Sequence, residues 1–317
     1  MTGSTFTQTP CYTLGDWDNK AAVRVRKDDY RLPEDLEQQL RVKDWFPPAF
    51  VPYIEHPLIK AAGRSIVQRL EANHLVYFLD YTTLLEHRVV NRSVETIVHG
   101  ELDVTIPNMM KTAALQLYTD EGYHALFSNE VAEQVAAMYG IGDRQTPRRI
   151  ERLLGMIDTI HSTHRPLAWF LMGFVSETII AKELLAITRE SLVSTVYRML
   201  RNHLEDEARH SRYFSEVFQF LWAVLASPQR DQAARMLLEI IGLYFEPDVS
   251  WLMSSLASVG FDEQSSRLII ADLLQPDAHI QRLRSGTVST FAAMKKARFF
   301  DNEHNRQLFS QAGFIDG

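Results

Sequence analysis

Two short segments of this sequence carry residue types that hold metal ions. One reads Asp120-Glu121-Gly122-Tyr123-His124, the other Asp206-Glu207-Ala208-Arg209-His210. Each gives Asp-Glu-x-x-His within a stretch of helical character. Residues three apart share one helix face, so each Glu and His can grip the same metal pair. A carboxylate bundle that binds two metals needs two such helices and one further Glu from each of two others. Glu86, in YFLDYTTLLEHRVV, and Glu177, in WFLMGFVSETIIAKELL, both sit in apolar stripes. A carboxylate there is costly unless it is paired or bound to metal. The chain order Glu, Glu-x-x-His, Glu, Glu-x-x-His is the order of a ferritin-like bundle.

The donor set suits iron in both common oxidation states, since hard oxygen donors are joined by imidazole nitrogen; it also suits manganese. A metal-bound histidine usually donates its second ring N–H to a carboxylate or carbonyl. Asp120 and Asp206 are placed to do this for the histidine of the opposite helix, with Arg209 balancing charge nearby. His203 is additional. It precedes Glu207 by four residues and His210 by seven, so the three fall within about 60° around one helix. It is expected to face the same metals as a third histidine ligand. His161 and His164 sit near a helix C-terminus, where histidine favours the dipole, and are assigned no site. His87 lies about 100° round the helix from Glu86 and points elsewhere.

Long helices must position these residues. Apolar residues recur at helical spacing from Leu58 to His99, with a break expected near Asn73. Pro107 opens a helix that runs to Gly140. Thr146 and Pro147 begin one ending near His164. Pro166 starts another ending near Glu190, and a further one spans Ser191 to about Ala226. Ser227 and Pro228 open the next, which stops before Pro247. Shorter helices are expected over Trp251–Ser258, Asp262–Leu274 and Thr287–Phe300. No alternating strand pattern appears, so the fold class is all-α, a ferritin-like (ribonucleotide-reductase-like) helical bundle with additional peripheral helices.

The 317 residues are 46% hydrophobic and 23% charged, ample for a large core. No clear linker interrupts the pattern, so one domain is expected over 1–317. Its metal-binding bundle covers about 60–225, and residues 1–30 form an N-terminal arm, expected as a surface strap or a partly disordered segment. The net charge of -7 and the lack of a long basic run argue against nucleic acid and anionic membrane partners. The single cysteine, Cys11, excludes an intrachain disulfide framework and fits a cytoplasmic location. The N-terminus has no secretion signal pattern. The most apolar long stretch, Pro166–Ile187, contains Glu177, Lys182 and Glu183 and is a poor membrane span.

At Glu86, Glu121, His124, Glu177, His203, Glu207 and His210 the chain resembles the di-iron N-oxygenase family of the para-aminobenzoate N-oxygenase type. That family has the six usual ligands and an additional histidine four residues before the last Glu. The thirty-five residues from Glu86 to Glu121 also match its spacing. The resemblance covers the bundle and the chain length. It implies a non-haem di-iron monooxygenase of natural-product biosynthesis, a homodimer with two iron ions and O2 as co-substrate. A peroxo-bridged diferric species would oxidise a primary amine, aryl or amino-acid-like, to hydroxylamine, nitroso or nitro product. Electrons would come from an external reductase or small donor. No Gly-x-Gly-x-x-Gly nucleotide fingerprint is present.

The substrate pocket is expected among helix neighbours of the ligands, three or four residues away. These are Leu79, Thr82, Thr83, Leu117, Tyr118, Gly173, Phe174, Ile180, Ala181, Leu200, Tyr213 and Phe214. Gly173, one turn before Glu177, is expected to leave room beside the metal. Arg282 and Arg284 are candidates for a substrate carboxylate, with a solvated face as the alternative. Competing functions are a carbon hydroxylase or desaturase on the same scaffold and a non-catalytic iron-handling protein. A radical-generating subunit like that of ribonucleotide reductase usually has a tyrosine four residues after the first motif's histidine; here it is Ser128.

Overall fold

The computed structural model describes residues 14–27, 29–51, 53–142 and 144–316; Cys11 lies outside them. An N-terminal strap carries two single turns, α1 (Trp17–Lys20) and α2 (Ala22–Val25), and is followed by α3 (Leu36–Gln39) and α4 (Pro57–Ala61). The long α5 (Arg64–Leu85) passes through a π-helical turn, Glu86–Val90, into α6 (Asn91–Val98). Then come α7 (Asn108–Tyr139), α8 (Arg148–Thr159), α9 (Arg165–Ile187) and α10 (Ser194–Val224). The C-terminal part adds α11 (Ser227–Tyr244), α12 (Val249–Ala257), α13 (Glu263–Leu273), α14 (Pro276–Gly286), α15 (Val288–Lys296) and α16 (Glu303–Gln311). Among the described residues there is no strand, only a bridge between Asp44 and Leu192. The fold is an all-α, ferritin-like helical bundle.

Two apolar clusters fill the bundle, one at each end. Most of α5 and the second half of α7 share one cluster, with Leu75, Leu79, Phe127 and Val131. The second half of α9 and the first half of α10 join it, with Ile180, Leu184, Met199 and Leu200. The end of α5 with the π turn, the first halves of α7 and α9 and the second half of α10 meet in the opposite cluster, through Val89, Leu117, Phe174 and Phe218. It follows that α5 and α7 run antiparallel, as do α9 and α10. The chain leaves α7 at one end and starts α9 at the other. Residues 140–164 must therefore cross the length of the bundle, the long crossover of ferritin-like folds. Helix α8 makes that crossing with Ile150, Leu153, Met156 and Ile157 buried against the second cluster.

Several local signals act where the sequence places them. Pro107 caps α7, and Gly140 ends it with φ 63°, a left-handed conformation that favours glycine. Others differ. The helix expected from Leu58 is interrupted at Gly63, with φ 92°, and α5 begins only at Arg64. No break occurs at Asn73; its side-chain amide donates to Ser255 and Ser258 at 3.0 Å. The irregularity falls instead at Glu86, where the π turn adds a residue without ending the helix, since Leu85 and Asn91 stay right-handed. Helix α10 starts at Ser194 because residues 191–193 are held in extended pairing with Asp44. Helices α14 and α16 were not anticipated by the apolar pattern; each is amphipathic on too short a span.

Candidate metal centre

Each bundle helix passes from one apolar cluster to the other at its charged residues. Glu86, Glu121, His124, Glu177, Glu207 and His210 are 0% exposed and His203 1%. Together they form one polar layer between two dry ends. Three overlapping sets of donor atoms lie within 4.8 Å of one another: Glu121, His124, Glu207 and His210; Glu86, His203 and Glu207; Glu86, Glu121 and Glu177. The union of the three is the seven residues singled out by sequence. Glu207 belongs to two sets, as do Glu86 and Glu121, so the layer is continuous rather than two separate sites.

The rings are oriented by their distances. His124 Nδ1 faces Glu121 at 3.3 Å and Glu207 at 3.1 Å, while its Nε2 lies 3.0 Å from Asp206. His210 Nδ1 faces Glu121 at 2.7 Å and Glu207 at 3.2 Å, while its Nε2 lies 3.0 Å from Asp120. Each aspartate thus holds the histidine of the opposite helix. His203 presents Nε2 to Glu207 at 3.2 Å and to Glu86 at 3.7 Å. Arg209 pairs with Asp206 and donates from Nη1 to the Glu205 carbonyl at 2.9 Å.

Neither carboxylate oxygen of Glu86 or of Glu177 meets a hydrogen-bond donor, although both side chains are fully buried. Unpartnered buried carboxylates are strongly disfavoured, so these oxygens call for cations. That is the fit expected of a metal-binding layer, and the hard oxygen donors with imidazole match transition metals such as iron or manganese. Protons alone would reconcile the charges in a telling way. Burial pushes Glu86 and Glu177 well above the usual carboxylate range, and the Glu121 and Glu207 charges push them the same way. Glu121 and Glu207 feel the same burial, but the histidines outweigh it and hold both below that range. Burial opposes charging His124 and His210, yet their carboxylate partners raise both well above the imidazole range. His203 is lowered, by burial first and by the His124 charge second. Metal uptake at such a cluster displaces protons.

The residues expected around a substrate are distributed differently. Leu79, Leu117, Phe174, Ile180, Leu200, Tyr213 and Phe214 are buried within the apolar clusters. Phe174 stacks on Phe218 at 4.2 Å, and the Tyr213 hydroxyl donates to the Met110 carbonyl at 2.6 Å. Thr82 is buried with its hydroxyl unpartnered. Ala181 is half-buried. Tyr118 is 41% exposed, on the outer face of α7, contrary to the inward placement expected. Gly173 makes no room beside the metal layer. A Cβ there would lie 2.2 Å from Ser93 Oγ, so the glycine permits close approach of α6 to α9. Arg284 is engaged by Asp316 at 2.9 Å, and Arg282 donates to the Leu273 carbonyl at 3.0 Å. A cavity of about 750 Å³ opens between α5, α7 and the 140–147 loop. Thr83 lines it, but none of the seven clustered residues does.

Sequence reasoning missed two features. The π turn at Glu86 has no residue signature. The other is that the Trp17 indole and the Ala22 amide reach Asp120 and Asp206. A lone tryptophan in a polar, aperiodic arm was the available signal. No helix among the described residues is long and apolar enough to cross a membrane.

Comparison with known proteins adds an independent line. The family described as P-aminobenzoate N-oxygenase AurF matches residues 14–296. A relative, the 4-aminobenzoate N-oxygenase of Streptomyces thioluteus, is 26% identical over 264 residues, which are 81% of this chain and 76% of that protein. The matched span runs from the strap to the end of α15 and includes all seven residues of the polar layer.

Proposed function

The chain belongs to the P-aminobenzoate N-oxygenase family and is an oxygenase, and from that premise we propose a di-iron, O2-dependent N-oxygenase acting on a primary arylamine of the aminobenzoate type. The single observation that carries the reading is the buried layer itself, in which seven donors converge and four oxygens, those of Glu86 and Glu177, have no donor of their own. Glu121, His124, Glu207 and His210 would hold the irons from α7 and α10. Glu86, Glu177 and His203 would complete the set, with Glu207 shared between the two groups of donors it joins. Iron bound there would supply O2 activation and the two-electron oxidation of the amine.

The protein's own part is to orient and to keep dry. Asp206 and Asp120 accept the Nε2–H of His124 and His210, which fixes each Nδ1 lone pair toward the centre and raises its basicity. The two apolar clusters exclude bulk water on either side of the layer. His203 presents a neutral nitrogen, since burial holds its ring below the ordinary range. The chain, 1–317, acts as one oxygenase domain, because one cluster draws on residues from Leu14 to Phe309 and the other on residues from Tyr30 to Ile270. Electrons come from an external donor. Pairing into a homodimer and a cytoplasmic setting belong to the same reading, the latter supported by the single cysteine.

The test is anaerobic reduction of the iron-loaded protein, exposure to O2 with 4-aminobenzoate, and product analysis by mass spectrometry. Hydroxylamino, nitroso or nitro products support the reading; ring-hydroxylated products or unchanged amine would replace it. His203→Ala sharpens the assignment. Six ligands remain, so both metals are expected to stay while N-oxygenated product falls by roughly 10–100-fold. Metal analysis and product yield on the same sample separate the two effects.

A further inference from the structure

The N-terminal strap makes polar contact with both aspartates that hold the histidines. The Trp17 indole donates from Nε1 to Asp120, 3.0 Å from one carboxylate oxygen and 2.9 Å from the other. Five residues later the Ala22 amide donates to Asp206, at 3.3 and 3.1 Å. The strap is well seated for this. Leu14 is buried in an apolar cluster with Ala21 and Ala22 buried nearby. Arg26 pairs with Glu205 at 2.7 Å, and the Arg24 guanidinium lies over the Trp17 ring at 5.5 Å.

The two contacts are not equivalent. Asp206 has Arg209 as a third partner besides Ala22 and His124. The Asp120 carboxylate makes its hydrogen bonds with His210 and Trp17. An aspartate on a helix can rotate about two bonds. With one histidine as its only fixed partner it would hold that ring loosely, whereas a donor bound to both of its oxygens fixes the plane. Trp17 is only half-buried, so its indole N–H had water available as an acceptor. Its placement on this carboxylate is therefore informative.

We propose that Trp17 is a positioning residue for the metal centre, setting the His210 ring through Asp120, so that the metal position served by His210 depends on the strap. The inference rests on the metal-binding reading above. It predicts an asymmetry: losing the indole N–H loosens one of two metal positions and leaves the one served by His124, Asp206 and Arg209 in place.

The test uses Trp17→Phe, which keeps an aromatic ring for packing and removes the donor, with cobalt(II) as the probe metal. Both binding steps are measured by competition with a chelator, and the d–d absorption spectrum reports ligand geometry directly. One cobalt affinity should fall about 3–10-fold, below the range usual for direct partners of a ligand, with a changed spectrum; the other should stay within about twofold of its original value. Because Trp17 acts through Asp120, Trp17→Phe added to Asp120→Asn should cost little further. Unchanged affinities and spectrum in Trp17→Phe, with two cobalt ions still bound by the parent, would overturn the proposal. So would losses that add in full. A parent protein that binds no cobalt pair would instead overturn the metal reading itself. If circular dichroism shows that Trp17→Phe fails to fold, indole NMR of the zinc-loaded parent decides. One of the five tryptophan N–H signals should exchange slowly and move in Asp120→Asn; the absence of such a signal refutes the contact.

Discussion

Glu71 and Glu177 are both glutamates on bundle helices, 1% and 0% exposed, yet their surroundings differ in kind. Glu71 lies one cluster away from the polar layer, on α5, and accepts the Trp45 amide at 3.3 Å. Its acidic neighbour is Asp44 and its basic one Arg64. Burial raises it to about 8, with the Asp44 charge adding to the effect. A single carboxyl of this kind can stay protonated near neutral pH and needs nothing more. Glu177 has no donor for either oxygen, and three other glutamates share its layer. Protonation of one group cannot satisfy four carboxyls and three imidazoles at once. The difference teaches that burial of an acid is not by itself a functional signal; convergence of several, each short of donors, is.

The largest effect that would break this contrast is loss of a shared glutamate. Glu121→Ala or Glu207→Ala removes a donor that belongs to two of the three overlapping sets. Bound metal and turnover should both collapse, beyond the roughly 10–100-fold usual for outer partners. Elemental analysis of the purified variants checks this. Full metal content in either would mean that the layer is no more than a buried polar network.

A smaller effect separates the ligands from what holds them. Asp206→Asn and Asp120→Asn keep size but trade a carboxylate oxygen for an amide nitrogen, which cannot accept the imidazole N–H. Metal should remain bound, with affinity or activity reduced roughly 10–100-fold. Asp206→Asn should be the milder in one respect, since Arg209 and the Ala22 amide can still fix its remaining oxygen. Chelator competition on both variants compares them directly.

Much of this centre is legible in the sequence alone. The paired Asp-Glu-x-x-His segments and the two glutamates in apolar stripes identify the seven clustered residues because helical periodicity converts spacing into direction. The crossed pairing of Asp120 with His210 and Asp206 with His124 follows from the same geometry. What was not legible depends on contacts distant in sequence. Gly173 looked like room beside the metal, but its neighbour is Ser93, on a helix eighty residues earlier in the chain. Tyr118 sits three residues before Glu121, the same offset of about 60° that brings His124 alongside Glu121, yet it is 41% exposed, so spacing along one helix does not fix how far inward a residue lies. The strap's contacts span 103 residues from Trp17 to Asp120 and 184 from Ala22 to Asp206. No local pattern encodes a pairing of that range. Substrate residues were the least legible, since the neighbours of ligands on a bundle helix are by construction also core.

The smallest effect tests the other half of the comparison, the isolated acid. Glu71 ionises near pH 8 in the folded protein, against about 4.5 for an ordinary glutamate. Below pH 4.5 it is protonated whether the chain is folded or not, and its full contribution to stability is present. As pH rises from there, the unfolded chain loses this proton while the folded chain keeps it. The folded state then binds more protons than the unfolded, so stability declines with rising pH. The decline ends near pH 8, where the folded form ionises as well. Glu71→Gln carries no proton to lose and can still accept the Trp45 amide through its carbonyl oxygen. Chemical denaturation from pH 5 to 9, with both proteins carrying the same metal load, should therefore show two diverging curves. The variant gains on the parent as pH rises and the gap levels off near pH 8. A constant gap would mean that Glu71 ionises normally in the fold, through the nearby Arg64 guanidinium or water. Its burial would then resemble that of Glu121 and Glu207, which the histidines hold below the usual carboxylate range, and the distinction between a lone buried acid and a metal-binding layer would have to rest on donor convergence alone.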